Sequence, residues 1–261
     1  WIKHFAASTF LLQPFFPSAD YFFSFNSPSW SLGCEQLFYF CFPLIVPFLH
    51  TKRSLFITLL ICLPIMLAGM YLTNEEQIKA YWYVNPFTRL PDFFVGVLLY
   101  QFYRSLCNKK LSYSTGTLLE AGAVALFLLF FLCAADIPKV YRYSCYYWLP
   151  VSLIILIFAL QQGGISRLLS NRFLIIGGEI SYSFYLIHLF IIDAYMRMSA
   201  HYHWQIQWTI SVPVILCITI ILSLLSFYYF EKPANKWVKR IFTKKTIINQ
   251  PHGIINKNTP N

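Results

Sequence analysis

PSWSLGCEQLFYFCFPLIVPFLH, residues 28–50, is one of the most apolar and aromatic runs in the chain, and it carries one acid, Glu35. From Ser31 onward it reaches the roughly 17–25 residues that a helix needs to cross a bilayer. A carboxylate inside such a run costs a few kcal/mol at the bilayer centre. Glu35 therefore sits either close to the positive end of its helix or against an interior cavity. Ser31, after Pro28, reads as the N-cap, but a capping box needs its acid three residues on, and Glu35 is four on.

Stretches of the same kind recur at 54–72, 117–133, 145–161, 173–195 and 208–230, and a shorter one at 90–103 makes seven. Only 11% of the residues are charged, against about 25% in soluble domains. The pattern predicts an all-α protein, a polytopic transmembrane helix bundle with about seven spans. Net charge is +10, and its placement matters more than its size. If the spans alternate, one set of ends holds thirteen basic residues: Lys52, Arg53, Arg104, Lys109, Lys110, Arg167, Arg172, Lys232, Lys236, Lys239, Arg240, Lys244 and Lys245. The opposite set holds six: Lys3, Lys79, Arg89, Lys139, Arg142 and Arg197. This is the positive-inside asymmetry, and it places the carboxyl terminus in the cytoplasm and residues 1–30 outside. Topology explains the basic excess, so no nucleic-acid partner is expected.

Three regions follow. Residues 1–30, broken by Pro14, Pro17 and Pro28, read as an external loop lying on the bilayer; 31–240 form the transmembrane domain; 241–261 read as a disordered cytoplasmic tail. Seven cysteines, with no CxxC pair, signal neither a disulfide framework nor a zinc site, and no metal is expected. The Gly163-Gly164 and Gly177-Gly178 pairs read as helix ends or close helix contacts. The chain starts at Trp1, and seven spans leave that end outside, so an odd number of spans is expected to precede it.

Ionisable residues within spans are functional candidates by default. Arg89 and Asp92, in NPFTRLPDFFVG, stand three apart across Pro91 at the mouth of the short span. They form either a local ion pair or the entrance to a cavity. His188, in GEISYSFYLIHLFII, lies about two-thirds of the way to the outer surface at a rise of about 1.5 Å per residue. Ser181, Tyr185 and His188 fall at offsets 0, 4 and 7, one stripe of a 3.6-residue helix. Such a stripe turns to the protein interior, where the histidine is a structural hydrogen-bonder, a substrate contact or a catalyst. If Glu35, Arg89 and His188 serve one cavity, their side chains should converge on it.

Four segments together resemble one family. PSWSLGCEQLFYFCFP is similar to the W-S-L-x-x-E-x-x-F-Y signature of the acyltransferase family 3 membrane proteins, and RLPDFFVGVLL to their R-x-P-[DE]-F-x-x-G helix start. GGEISYSFYLIHLFII resembles their G-x-[IL]-S-Y-S-x-Y-L-x-H helix, and FYYFEKPANKWVKR their closing E-[RK]-P segment. The resemblance implies about ten membrane helices with both ends cytoplasmic, three of them preceding the W-S-L segment, in a bacterial cytoplasmic membrane. It implies transfer of an acyl group, most often acetyl, from acyl-coenzyme A as co-substrate to a hydroxyl of a cell-surface glycan or lipid-linked sugar, with membrane lipid around the protein. Glu35, Arg89 and His188 are the catalytic candidates that it implies, and Trp30, Asp92, Ser181, Tyr182 and Tyr185 the substrate-binding ones. The family's proposed catalytic histidine lies in its first helix and has no counterpart here, since His4 has a different context; this stretch alone is expected to be inactive. Gly33 stands where the family often has Ser, and Gln36 where a second acid is common. The alternative from another class is a transporter or flippase-like carrier, in which the same charges line a conduit for a sugar or lipid.

Overall fold

The computed structural model describes residues 1–45, 47, 51–203 and 207–248, with side chains described as far as Phe242. Among the described residues there is no strand. The helices are α1 (Ile2–Thr9), α2 (Ala19–Phe22), α3 (Trp30–Ile45), α4 (Lys52–Tyr71), α5 (Pro86–Leu106), α6 (Tyr113–Cys133), α7 (Lys139–Arg142), α8 (Trp148–Leu160), α9 (Gly164–Leu169), α10 (Arg172–Glu179), α11 (Ser181–Tyr202), α12 (Trp208–Ser226) and α13 (Lys232–Ile248), joined by short 3₁₀ and π turns. Each of the seven apolar stretches carries a helix. Four helical runs are long and apolar enough to cross a membrane: Lys52–Tyr71, Tyr113–Asp136, Arg172–Tyr202 and Trp208–Phe242. Of the others, α3 and α8 are shorter, and α5 carries Arg89, Asp92 and Arg104.

Starts and stops follow local chemistry. Thr51 and Ser112 accept from Ser54 N and Thr115 N, both at 3.1 Å, and so cap α4 and α6. Asn85 caps α5 by accepting from Phe87 N at 2.9 Å, with Pro86 at the first helical position, where a missing N–H costs nothing. The N-cap reading of Ser31 is corrected: a 3₁₀ turn over Ser27–Ser29 leads straight into α3 at Trp30, so Ser31 is already helical and donates back to Pro28 O at 3.1 Å. In the expected tail, α13 runs on to Ile248, and residues 249–261 lie outside the described residues.

The apolar surface is turned outward. Leu60, Ile61, Ile65, Leu118, Leu132, Ile155, Ile210 and Ile221 are each more than half exposed. In water such a surface would associate; against lipid it is the stable arrangement.

The chain divides into two compact units, residues 1–175 and 176–261. In the first, α5 packs against α3, α4 and α8, and α6 against α8 and α9. Its apolar core includes a cluster of Met66, Met70, Ile78, Trp82 and Val140, and a second of Phe22, Ala80 and Val84 against which Trp30 and Tyr83 rest. In the second unit α11 packs on α12. Ser211, Thr219 and Ser223 are buried along α12, and Ser211 Oγ lies 2.5 Å from the Tyr195 hydroxyl of α11. Small hydroxyl residues let two helix backbones approach closely, and each hydrogen bond between membrane helices contributes about 0.6–2 kcal/mol.

Candidate active site

Arg89 and Asp92 lie on the first two turns of α5; Tyr83 comes from the turn just before that helix, and Trp30 and Trp148 come from elements far along the chain. Arg89 Nε donates to Tyr83 O at 2.9 Å, and Nη1 donates to Asp92 Oδ2 at 3.0 Å, so the local ion pair is present. The guanidinium lies 5.6 Å from the centre of the Tyr83 ring and 6.0 Å from that of Trp30, at the outer limit of cation–π contact. Those rings are themselves 4.8 Å apart. Asp92 receives a second bond, from Trp148 Nε1 at 2.5 Å. The side chains of Arg89 and Asp92 are 16% and 30% exposed. The pair is thus shielded and oriented on several sides, so a substrate atom placed against the guanidinium would meet a preset charge in a low dielectric.

Glu35 is placed differently. Cys34, the residue before it, is buried and donates its thiol to Val84 O at 3.3 Å, one residue from the Tyr83 carbonyl that holds Arg89. Glu35 itself is exposed and makes no ion pair among the described residues. Gly33 has no room for a side chain, because a Cβ would stand 2.5 Å from Leu11 O and from Pro14 Cγ. The amino-terminal segment lies against α3 at that point, which accounts for the departure from Ser.

The remaining candidates belong to the second unit. His188, partly buried on α11, has Nδ1 2.7 Å from Tyr185 O, and its ring is parallel to that of Phe184 at 6.1 Å. A nitrogen facing a carbonyl must carry the proton, so neutral His188 keeps its lone pair on Nε2, the form able to accept a proton. Ser181 Oγ donates to Gly178 O at 2.7 Å across the α10–α11 junction. Tyr182 and Tyr185 are 47% and 38% exposed. Arg89, Asp92 and Trp30 are therefore brought together in one cluster, and Ser181, Tyr182, Tyr185 and His188 share α11.

Sequence reasoning missed four contacts of chemical interest. Trp148 and Tyr83 complete the Arg89 cluster, and nothing local in the sequence marks them. Ser183, fully buried, donates to Glu231, tying the S-Y-S segment to the E-K-P segment; both segments were recognisable, their pairing was not. Glu120 of α6 is 1% exposed and accepts from the backbone N–H groups of Gly163, Ile165 and Ser166 at 3.0, 2.8 and 3.1 Å. The rule that singled out Glu35 applies equally to this lone acid in an apolar run. Among the described residues, no three His, Cys, Asp or Glu side chains group as metal ligands.

Outward-facing apolar helices that enclose a shielded arginine–aspartate pair define an integral membrane protein, of the enzyme or carrier class. The family model described as Acyltransferase domain matches residues 1–228. The chain belongs to that acyltransferase family. It is 28% identical over 221 residues to the O-acetyltransferase OatA of Staphylococcus aureus (strain NCTC 8325 / PS 47), covering 79% of this chain and 36% of the relative. To the acyltransferase MdmB of Streptomyces mycarofaciens it is 24% identical over 215 residues, covering 76% and 54%. It is 26% identical over 255 residues, covering 90% and 39%, to YrhL of Bacillus subtilis (strain 168), whose name assigns it provisionally to peptidoglycan O-acetylation. The chain thus spans from about a third to about half of the length of these relatives. No solved structure matches it significantly.

Proposed function

We propose that the protein is a membrane-embedded O-acyltransferase that moves an acetyl group from acetyl-coenzyme A to a hydroxyl of a cell-surface glycan or lipid-linked sugar. The observation that carries this reading is the family match over residues 1–228, which takes in the whole first unit, residues 176–228 of the second, and the W-S-L, R-x-P and S-Y-S-x-Y segments. In this reading the sugar hydroxyl attacks the thioester carbonyl, a C–O bond forms, the C–S bond breaks, and the hydroxyl proton leaves with the coenzyme A thiol. Negative charge builds on the carbonyl oxygen. Arg89 is assigned to stabilise it, because an oriented cation in a dry site costs no reorganisation during reaction. Trp30 and Asp92 set that guanidinium and contact substrate. Glu35 orients an incoming hydroxyl or the base that deprotonates it, and His188 offers Nε2 to a proton or a substrate hydroxyl. Ser181, Tyr182 and Tyr185 line the acceptor path.

In the same reading α3, α5 and α8 complete seven crossings with the four longer runs. The loops at 72–85 and 134–147 then face outside, residues 1–30 lie on the outer surface, and the tail is cytoplasmic, as the positive-inside rule requires. The test uses the full-length gene product in proteoliposomes with radiolabelled acetyl-coenzyme A and purified cell-wall glycan. Label should appear on the glycan as a base-labile ester. Movement of glycan or lipid with no consumption of donor would overturn the enzyme reading in favour of a carrier.

A further inference from the structure

The loops that join α4 to α5 and α6 to α8 are held together by one apolar cluster. Ile78 and Trp82 from the first and Val140 from the second are buried with Met66 and Met70 of α4. Trp82 is fixed further by donating from Nε1 to Thr73 Oγ1 at 2.8 Å, and its ring occupies the space left by Gly69, 2.9 Å from where a Cβ would stand. Arg142 donates to Ala134 O at 2.9 Å and pins the second loop to the end of α6. Between these braced loops lies a cavity of about 620 Å³, inside the roughly 300–1,000 Å³ span of small-molecule sites.

The wall chemistry is balanced. Glu75, Glu76 and Asp136 supply three carboxylates, and Lys79, Lys139 and Arg142 three cations. A polyphosphate or nucleotide would meet as many repelling groups as attracting ones. A sugar hydroxyl is both donor and acceptor and pairs with either sign, and its hydrogen bonds to charged groups are the stronger kind. Tyr143 forms part of the wall, and its ring centre is 5.1 Å from that of Tyr83, whose face lies 5.6 Å from the Arg89 guanidinium. Two packed tyrosines therefore connect this cavity to the Arg89 cluster.

We propose that the cavity between these loops is an acceptor subsite that holds a hydroxyl-rich, neutral or zwitterionic glycan segment, with Tyr143 leading from it toward Arg89. The proposal rests on the reading above, in which these loops face outside and the acceptor is a glycan.

The test uses the full-length gene product in nanodiscs, acetyl-coenzyme A as donor and N,N′,N″-triacetylchitotriose as the glycan probe. Glu76 and Asp136 are exposed, and Glu76→Gln with Asp136→Asn keeps shape while removing two charged acceptors. The double variant should raise the KM for chitotriose by about tenfold, the loss of about one charge-assisted hydrogen bond, and leave the KM for acetyl-coenzyme A within about twofold. Lys139→Gln should move the glycan KM in the same direction. If all these variants keep the wild-type glycan KM, or if the donor KM rises instead, the subsite assignment fails while acyl transfer stands. A wild-type protein that transfers no acetyl group to any glycan overturns the enzyme reading and the subsite with it.

Discussion

Arg89 is bound by two of its nitrogens and flanked by two rings, and that arrangement needs a guanidinium. A lysine ammonium at the same position cannot keep the Tyr83 carbonyl, the Asp92 carboxylate and the ring contacts together. Arg89→Ala should therefore lower acetyl transfer by about 10²–10³-fold, the usual cost of removing one group that stabilises an oxyanion, and Arg89→Lys should recover less than about tenfold of that loss. Labelled acetyl on glycan, measured in vesicles that hold the full-length gene product, checks both; full recovery by lysine would reduce Arg89 to a mere positive charge. Ser183 permits a second residue-scale prediction. Removing its hydroxyl leaves the Glu231 carboxylate without this donor, so Ser183→Ala should cost about 1–3 kcal/mol, seen as a lower melting temperature in detergent, and Ser183→Thr should restore part of it. The sequence displayed Arg89 and Asp92 because they are three apart on one helix start. It could not display Trp148, which reaches Asp92 from 56 positions away, since no local pattern encodes a contact of that range.

At the scale of elements, the short helix α9 shows how a buried acid serves structure. Its first N–H groups have no helical partner of their own, and Glu120 from α6 accepts three of them and also the Ser166 hydroxyl. The Gly163-Gly164 pair was legible as a helix end, and the reason is now visible: the Glu120 carboxylate occupies the space that a Gly163 side chain would need, and the Tyr113 hydroxyl that of Gly164. Glu120→Ala should leave three backbone N–H groups and the Ser166 hydroxyl without this acceptor and cost about 3 kcal/mol or more, whereas Glu120→Gln, with one acceptor oxygen, should fall between. Limited proteolysis across 161–171 reports this directly, with faster cleavage in the alanine variant; equal cleavage in all three proteins would mean that α9 is held by its apolar contacts alone. Helix positions were legible because apolar runs of about 20 residues have one stable fate in a bilayer. The partner of Glu120 was not, because the choice between a lipid-facing and a capping carboxylate depends on which helix lies beside it.

For the whole molecule, the outward display of leucine and isoleucine fits lipid surroundings, and the basic loops carry the proposed orientation. Of the seven proposed crossings the weakest by composition is α5, since Arg89, Asp92 and Arg104 dilute its apolar run. If α5 crosses, the loop before it, with Glu76, and the loop after it, with Cys107, must lie on opposite sides. Cys107 is exposed, beside Lys109 and Lys110, at the end that the positive-inside rule places in the cytoplasm. In a background where Cys107 is the only cysteine, a membrane-impermeant maleimide should label it only after the cells are permeabilised. With Glu76→Cys as the only cysteine, labelling should occur in intact cells. Both sites labelled from one side would show that α5 does not cross, which would move Arg89 out of the membrane and leave six crossings; the reverse pattern would keep seven and invert the protein. The outcome also bears on chemistry, because the proposed donor, acetyl-coenzyme A, is a cytoplasmic metabolite and the proposed glycan lies outside. In the proposed orientation Arg89 lies at the outer mouth of α5 and can act on the acetyl group only if that group reaches it through the bundle, so the labelling pattern decides whether the proposed chemistry requires the acetyl group to cross the membrane.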